Sequence, residues 1–124
     1  MMVKRPLVSV VDDDESVRES LPDLVREFGY SVRAFSSAEE FLASDSLGET
    51  RCLILDIAMP GMTGPALQQE LTVRGRSIPI IFITAQADEA GRLRSLEQGA
   101  VACLLKPFSD MALFEALNVA FRAH

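Results

Sequence analysis

The sequence predicts one α/β domain in which a doubly wound, five-stranded parallel sheet is covered by helices on both faces. The chain has 124 residues, which fits a single domain over residues 1–124. Four short apolar runs and one stretch of alternating polarity are interleaved along it with stretches of helical periodicity. Uniformly apolar strands are typical of a parallel sheet that is buried on both faces. Right-handed crossovers then make the doubly wound arrangement the default.

Composition narrows the classes of function. The hydrophobic fraction of 48% and the charged fraction of 24% are ordinary for a soluble globular domain, and no apolar run approaches the ~20 residues of a membrane span. The net charge of −6 argues against direct binding of nucleic acid. The one histidine, His124, is the last residue, which excludes multi-histidine metal sites and Ser-His-Asp hydrolases. The N-terminus does not resemble a signal peptide, so a cytoplasmic protein with reduced, buried Cys52 and Cys103 is expected.

The first half of the chain predicts two strand–helix pairs. The apolar run Leu7–Val11 is the first strand, and a helix follows it with Asp14 as its N-cap and Gly29 as its end. The alternating stretch Tyr30–Phe35 predicts the second strand. The residues of Ser36–Glu39 have the spacing of a capping box, which starts a short second helix.

The second half repeats the alternation three times. Its strands are predicted at three apolar runs, Cys52–Leu55, Ile78–Ile83 and Val101–Leu105. Pro65 suits the first turn of the third helix, Asp88 can start the fourth, and Ser109 caps the fifth. Each strand is thereby followed by a helix on the way to the next, as a parallel sheet requires.

The polar residues that follow the strands are expected to meet at one edge of the sheet, because the carboxyl ends of parallel strands lie side by side. Five residues belong to this group: Asp12, Asp13, Asp56, Thr84 and Lys106. Asp14 also follows the first strand, but its main role is expected to be the helix cap. The coincidence of three carboxylates, a hydroxyl and an interior lysine indicates a site more strongly than any one of them does.

Such a group of carboxylates favours a bound cation. At an effective dielectric constant of ~20, two unit charges ~4 Å apart repel by about 4 kcal/mol, so one acid takes up a proton or a cation lies among them. Hard carboxylate oxygens without histidine or cysteine suit Mg²⁺. Phosphoryl transfer uses such a set of groups: a divalent cation, an ammonium group, a hydroxyl and a nucleophilic carboxylate. Asp56 is the best candidate for the nucleophile, since it follows the buried run Leu53–Leu55 and opens a loop rich in Pro and Gly.

Five segments together form a specific pattern: Val10–Asp14, Leu53–Gly64, Ile83–Ala85, Gly99–Ala100 and Leu105–Phe108. This pattern resembles the response-regulator receiver domain of two-component signalling, and the match covers the whole chain. The residues from Asp12 to Leu21 are similar to the branch whose full-length members carry a C-terminal LuxR-type helix-turn-helix domain. The resemblance implies a flavodoxin-like (βα)5 fold with strand order 2-1-3-4-5, and a signalling module rather than an enzyme.

The resemblance also implies a role for each residue of the group. Asp56 would accept a phosphoryl group from a sensor histidine kinase and become an acyl phosphate. Four residues would hold Mg²⁺: Asp13 and Asp56 directly, Asp12 through water, and Ala58 through its backbone carbonyl. Thr84 and Lys106 would hold the phosphoryl oxygens, and the Lys106–Pro107 bond would be cis. Phosphorylation would then alter the surface of the fourth helix, fifth strand and fifth helix, and so control an output domain, a partner or a homodimer.

One position departs from the family pattern. The family usually has Tyr or Phe three residues before the lysine, and this sequence has Cys103. In the family that ring moves inward as the threonine shifts to the phosphate, and a small thiol cannot relay phosphorylation to the outer surface in this way. The alternative function is therefore a degenerate receiver that serves as a phosphorylation-independent docking module. For Cys103 itself, a redox-sensing role is a weaker interpretation than plain packing.

Two other classes of protein share a site residue or the fold class with this prediction. A haloacid-dehalogenase-type phosphatase also has a strand-end aspartate with Mg²⁺, but it needs a second aspartate where this chain has Ala58. A flavodoxin-like FMN-binding protein would need a hydroxyl-rich phosphate loop after the first strand, where the acids Asp12–Asp14 would repel the phosphate. Neither class fits the sequence as well as a receiver does.

Overall fold

The computed structural model describes residues 4–86 and 89–123. Within these residues, five strands and five α-helices alternate, as the sequence predicts. The strands are β1 (Leu7–Val11), β2 (Ser31–Phe35), β3 (Thr50–Asp56), β4 (Ile80–Thr84) and β5 (Ala102–Leu105). The helices are α1 (Glu15–Glu27), α2 (Ala38–Leu42), α3 (Gly64–Val73), α4 (Glu89–Glu97) and α5 (Asp110–Ala123). A 3₁₀ turn, Asp45–Gly48, precedes β3.

The sheet has the predicted order β2-β1-β3-β4-β5, and all its neighbouring strands are parallel. Helices α1 and α5 pack on one face, around a buried cluster that includes Val10, Ile54 and Leu117. Helices α2, α3 and α4 pack on the other face, around a cluster that includes Leu55 and Phe82. The predicted doubly wound, flavodoxin-like fold is therefore confirmed.

The burial of each strand reflects its place in the sheet. In the central strands β3 and β4, every residue from Cys52 to Leu55 and from Ile80 to Ile83 is buried. In the edge strand β2 only Phe35 is buried, and Arg33 is exposed. The sequence carries this difference, because the β2 run alternates while the β3 and β4 runs are uninterrupted.

Strand β3 begins at Thr50, before the apolar run that predicts it. Thr50 is polar yet buried; its hydroxyl donates to the carbonyl of Ser46 at 2.6 Å and lies 2.7 Å from the hydroxyl of Ser9 on β1. These bonds satisfy the hydroxyl inside the fold. Hydropathy alone therefore places the start of β3 too late.

The first two helix starts show one confirmed cap and one shifted cap. Asp14 caps α1 by accepting from a backbone N–H of the first turn at 2.9 Å. At α2 the cap is Ser37, which accepts from the N–H of Glu40 at 3.0 Å, and the prediction of Ser36 is wrong. Ser36 instead donates its hydroxyl to the Glu40 carboxylate at 2.8 Å. Two adjacent serines offer the same chemistry, so local sequence does not choose between them.

The later elements begin close to their predicted positions. Strand β4 begins at Ile80 and not at Ile78, since Pro79 has no N–H to give to the sheet. Ser109 caps α5 as predicted, by accepting from a first-turn N–H at 3.0 Å. The start predicted at Asp88 for the fourth helix lies outside the described residues.

Candidate functional site

The carboxyl edge of the sheet carries the residues that the sequence places there. They are Asp12 and Asp13 after β1, Asp56 at the end of β3, Thr84 at the end of β4, and Lys106 after β5. Lys106 Nζ lies 2.8 Å from Asp12 Oδ2 and 3.7 Å from Asp56 Oδ1. One carboxylate oxygen each of Asp12, Asp13 and Asp56 lies within 4.8 Å of the other two. We refer to these three carboxylates as the acid cluster.

Asp12 is the anchor of the acid cluster. It is fully buried, and each carboxylate oxygen has a donor: Oδ1 accepts from the N–H of Asp14 at 2.9 Å, and Oδ2 from Lys106 Nζ at 2.8 Å. Its backbone carbonyl accepts from Nη1 of Arg18 at 2.8 Å. Its backbone N–H donates to the carbonyl of Phe35 on β2 at 3.1 Å. A buried carboxylate requires such partners, and together they hold Asp12 in one orientation.

Arg18 is a residue of this site that the sequence analysis does not single out. It is half-buried on α1, four residues after the helix cap Asp14. Long side chains on a helix point back toward its N-terminus, so residue 18 reaches the loop that precedes the helix. The spacing of an arginine one turn after a cap is the signal that could have found it.

The other two acids differ in exposure. Asp13 is exposed, and in the described ranges 4–86 and 89–123 no hydrogen bond or ion pair engages its carboxylate. Asp56 is only 6% exposed. Burial, followed by the charge of Asp12, raises the pKa of Asp56 to about 7 against the opposing charge of Lys106. The acid cluster therefore holds more negative charge than Lys106 alone compensates.

Lys106 keeps its charge in this setting. Burial favours the neutral amine, but the hydrogen bond and the charge of Asp12 outweigh burial, and the pKa of Lys106 is raised. The Lys106–Pro107 peptide bond is cis, as the resemblance implies. Lys106 is thus a permanent cation beside Asp56.

The acid cluster fits a divalent cation. Its donors are carboxylate oxygens from Asp12, Asp13 and Asp56, without histidine or cysteine. Burial and, after it, the charge of Asp12 raise the pKa of Asp56 despite Lys106, and a bound cation would favour the ionised carboxylate. Oxygen donors that leave room for several waters are what Mg²⁺ prefers.

The loop between β3 and α3 is held against the acid cluster. Gly64, the first residue of α3, packs against the end of β3, where a Cβ atom on residue 64 would collide with the carbonyl oxygen of Asp56. Farther back in the loop, the N–H of Met62 donates to the carboxylate of Glu39 on α2 at 3.2 Å. Ala58, which is exposed, lies at the start of this loop, two residues after Asp56.

The Thr84 hydroxyl bonds to its own turn and not to the acid cluster. It accepts from the N–H of Gln86 at 3.2 Å and lies 3.5 Å from the carbonyl of the same residue. A cavity of about 150 Å³, lined in part by Ala58, Thr84, Arg92 and Cys103, opens next to it. We call this space the Cys103 cavity. The Thr84 hydroxyl is therefore bonded within its own turn, with open space toward α4.

The two cysteines are protonated packing residues of unequal burial. Cys52 is buried as expected, and burial raises its pKa to about 12. Cys103 is only half-buried, because β5 is an edge strand, and burial raises its pKa against the opposing charge of Arg92. Neither cysteine is in a disulfide. A thiol with a raised pKa is a poor nucleophile, so its packing role is the better interpretation.

Several known proteins are similar to this chain. The response regulator receiver domain matches residues 8–118. Nodulation protein W of Bradyrhizobium diazoefficiens is 44% identical over 116 residues, which cover 94% of this chain and 51% of that protein. Response regulator protein TodT of Pseudomonas putida is 38% identical over 122 residues, which cover 98% and 54%. The solved structure of the response regulator StyR has a TM-score of 0.87 and 43% identity, and the match covers 96% of this chain and 60% of StyR.

The chain spans about half the length of the curated relatives it matches. Other relatives are named transcriptional regulatory proteins. Among the helices that the structure describes, none is long and apolar enough to cross a membrane.

Proposed function

The chain belongs to the response regulator receiver domain family, the signalling module of two-component systems, and from this premise we propose that Asp56 is its phosphoacceptor. The observation that carries the proposal is the pair at the carboxyl edge of the sheet. Asp56 ends the central strand β3 and lies 3.7 Å from the ammonium group of Lys106. Both carboxylate oxygens of Asp12 are already occupied by donors, which leaves Asp56 as the acid that faces the lysine and is available for reaction.

In this proposal four residues hold Mg²⁺: Asp13 and Asp56 directly, Asp12 through water, and Ala58 through its backbone carbonyl. The oxygen donors of the acid cluster support that choice of metal. The bound cation supplies charge neutralisation for the phosphoryl oxygens. Asp56 is then ionised at neutral pH, as a nucleophile must be.

The transfer breaks one bond and forms another. A carboxylate oxygen of Asp56 bonds to phosphorus while the bond from phosphorus to a histidine nitrogen of the kinase breaks, and that nitrogen keeps the electron pair. The ammonium of Lys106 pairs with one phosphoryl oxygen. Thr84 donates to another after its hydroxyl gives up the 3.5 Å contact with the carbonyl of Gln86.

A sensor histidine kinase is the proposed phosphodonor. A groove of about 750 Å³ lies between α1 and the start of α5 and reaches Lys106. Apolar side chains of Val17, Leu24 and Phe108 line it, and Asp14 lies among its acidic lining residues. A kinase helix with an apolar face and basic flanks would complement this groove and bring its histidine to Asp56.

The output is proposed to run through the surface of α4, β5 and α5. Leu93 on α4 is 46% exposed and Leu105 on β5 is 48% exposed. Exposed apolar side chains suit contact with an output domain, a protein partner or a phosphorylation-dependent second copy. The greater length of the relatives, two of which are named transcriptional regulatory proteins, supports a C-terminal DNA-binding output domain. In this proposal residues 1–124 are a single receiver domain that touches neither nucleic acid nor membrane. We place this module in the cytoplasm and assign it no substrate turnover beyond its own phosphorylation and dephosphorylation.

A phosphorylation-independent docking module is the second candidate function. The Cys103 cavity favours it, because no ring at residue 103 fills the space between Thr84 and α4. In that case the surface of α4, β5 and α5 would bind its partner whether or not Asp56 carries phosphate.

Mass spectrometry after incubation with acetyl phosphate and Mg²⁺ tests the proposal. We expect the wild type to gain one phosphoryl group and Asp56→Asn to gain none. Asp23→Asn, which changes an exposed acid on α1, serves as the matched control and should be phosphorylated like the wild type. Phosphate on Asp13 with Asp56 left bare would overturn the assignment, and an unmodified wild type would favour the docking module.

A further inference from the structure

Arg18 makes a contact unlike those of three other arginines on or next to the helices. Arg26 and Arg92 each pair with a carboxylate on their own helix, and Arg74, directly after α3, pairs with Glu70 on α3. Arg18 forms no ion pair within the described part of the chain, and its Nη1 donates to the backbone carbonyl of Asp12 at 2.8 Å. This half-buried guanidinium therefore holds the backbone at the end of β1 and not an acid.

The carbonyl of Asp12 belongs to the peptide unit that joins Asp12 to Asp13. A peptide unit is planar, so a bond to its oxygen fixes the direction in which the backbone enters residue 13. On the other side of Asp13, the N–H of Asp14 is held by Oδ1 of Asp12 at 2.9 Å. The backbone of Asp13 is thereby held on both sides, while its exposed carboxylate is engaged by no described residue.

We propose that Arg18 is a positioning residue for the metal site: through the Asp12 carbonyl it aims the Asp13 carboxylate at the cation, without touching the cation or the phosphoryl group. The inference rests on the proposed function, because it takes Asp13 to be a ligand of Mg²⁺. Loss of a group that orients a metal ligand typically costs roughly 10–100-fold in metal affinity. An arginine is suited to this task, since its planar fork gives a charge-assisted bond of defined direction.

Charge and position predict opposite outcomes when Arg18 is replaced. A guanidinium near a cation site repels the cation, so if only its charge mattered, Arg18→Met would tighten Mg²⁺ binding. If Arg18 positions Asp13, the same variant binds Mg²⁺ more weakly despite the lost repulsion. Arg18→Lys separates the two effects, because it keeps the charge but loses the fork and part of the reach.

Isothermal titration of the unphosphorylated protein with MgCl₂ tests the inference. We expect the dissociation constant to rise at least about tenfold in Arg18→Met and to be intermediate in Arg18→Lys. Arg26→Met removes an exposed cation from the same helix and should bind Mg²⁺ like the wild type. Thermal unfolding without Mg²⁺ identifies any effect on the fold. In phosphorylation by acetyl phosphate, the half-saturating Mg²⁺ concentration should rise while the rate at saturating Mg²⁺ is retained.

Equal or tighter Mg²⁺ binding in Arg18→Met overturns the inference and leaves the proposed function intact. A wild type that binds no Mg²⁺ overturns the proposed function, and the inference with it. If Arg18→Met does not fold, Arg18→Lys decides the matter, because a dissociation constant equal to that of the wild type contradicts positioning by the guanidinium.

Discussion

The two sides of the site are built differently. On the acid side, formed by the acid cluster and Lys106, Asp12 is fully buried and bonded at both carboxylate oxygens. On the threonine side, formed by Thr84, Gln86 and Cys103, the Thr84 hydroxyl bonds within its own turn and faces a cavity of about 150 Å³. The acid side is therefore organised for chemistry in advance, whereas the threonine side has room to rearrange.

The largest expected effect separates two neighbouring residues of the acid side. Asp12→Ala leaves Lys106 and the N–H of Asp14 without their partner, and breaking such a buried pair costs on the order of 3 kcal/mol. Asp13→Ala removes an exposed charge that repels Asp56, so the free energy of unfolding should rise by a few tenths of a kcal/mol, on the order of an exposed charge pair. Both variants should lose Mg²⁺ binding. Urea unfolding without Mg²⁺ measures the contrast, and equal destabilisation by the two changes would contradict it.

That contrast shows what the sequence could and could not predict. The convergence of Asp12, Asp13, Asp56 and Lys106 was predictable, because parallel strands place their carboxyl ends at one edge whatever the details of packing. The family resemblance gives the two acids different metal-binding roles, but the unequal burial of Asp12 and Asp13 was not predictable from the residues. The two residues are chemically identical neighbours, and only the fold decides which of them turns inward toward Lys106.

Specific hydrogen bonds around the site were also not predictable from the sequence. The spacing of Arg18 after the cap Asp14 places its side chain near the preceding loop, but its bond to the carbonyl of Asp12 depends on how α1 leaves the end of β1. The bonds of Thr84 to Gln86 depend on the conformation of one turn. The strand ends follow from periodicity and the strand order from the family resemblance, whereas these bonds follow from local geometry that becomes defined only in the folded chain.

The pH dependence of stability should reveal the cost of ionising Asp56, which is buried beside Asp12 on the acid side. The pKa of Asp56 is raised from 3.8 to about 7 by burial and then by Asp12, so the folded protein keeps a proton that the unfolded chain has lost. The favourable contribution is present below the unfolded pKa and is lost as the pH rises through the folded pKa. Without Mg²⁺, stability should therefore fall between pH 3.8 and about 7 and then level off.

Urea midpoints over a series of pH values measure this decline. Asp56→Asn cannot titrate at this position and should show a flatter profile than the wild type. Saturating Mg²⁺ favours the ionised carboxylate and should remove or reverse the decline. A wild-type midpoint that rises with pH over the same window, in the absence of Mg²⁺, would contradict the raised pKa.

The cysteines test the room on the threonine side. Phe at residue 52 must enter a fully buried position between the sheet and its helices, and overpacking of this kind costs about 1–3 kcal/mol. Phe at residue 103 can extend into the Cys103 cavity, so Cys103→Phe should change the free energy of unfolding by less than about 1 kcal/mol. Urea unfolding of Cys52→Phe and Cys103→Phe measures the difference in the free energy of unfolding between the two variants. Similar losses in both would mean that the threonine side is as tightly packed as the sheet.

The last prediction, of which we give only the direction, concerns how long a phosphoryl group would survive on Asp56, the proposed phosphoacceptor. Water must attack the acyl phosphate in line, opposite the aspartyl oxygen, and its approach is flanked by Ala58 and Gln86, which both line the Cys103 cavity. Ala58 is small and exposed and leaves the path open. The Gln86 amide can hold a water by a hydrogen bond but is a poor general base, so decay of the phosphate should be intermediate in rate.

Bulk at residue 58 should slow that decay, because a longer side chain shields the phosphorus from water without changing the acid cluster. We expect Ala58→Met and Ala58→Arg to keep their phosphate longer than the wild type, in assays that follow the loss of phosphate after the donor is removed. Ala66→Met adds the same bulk as Ala58→Met at an exposed position on α3 and should decay like the wild type. Decay in the residue 58 variants as fast as in Ala66→Met would show that access past residue 58 does not control the rate. The open threonine side would then affect signalling through the movement of Thr84 and not through the lifetime of the phosphate.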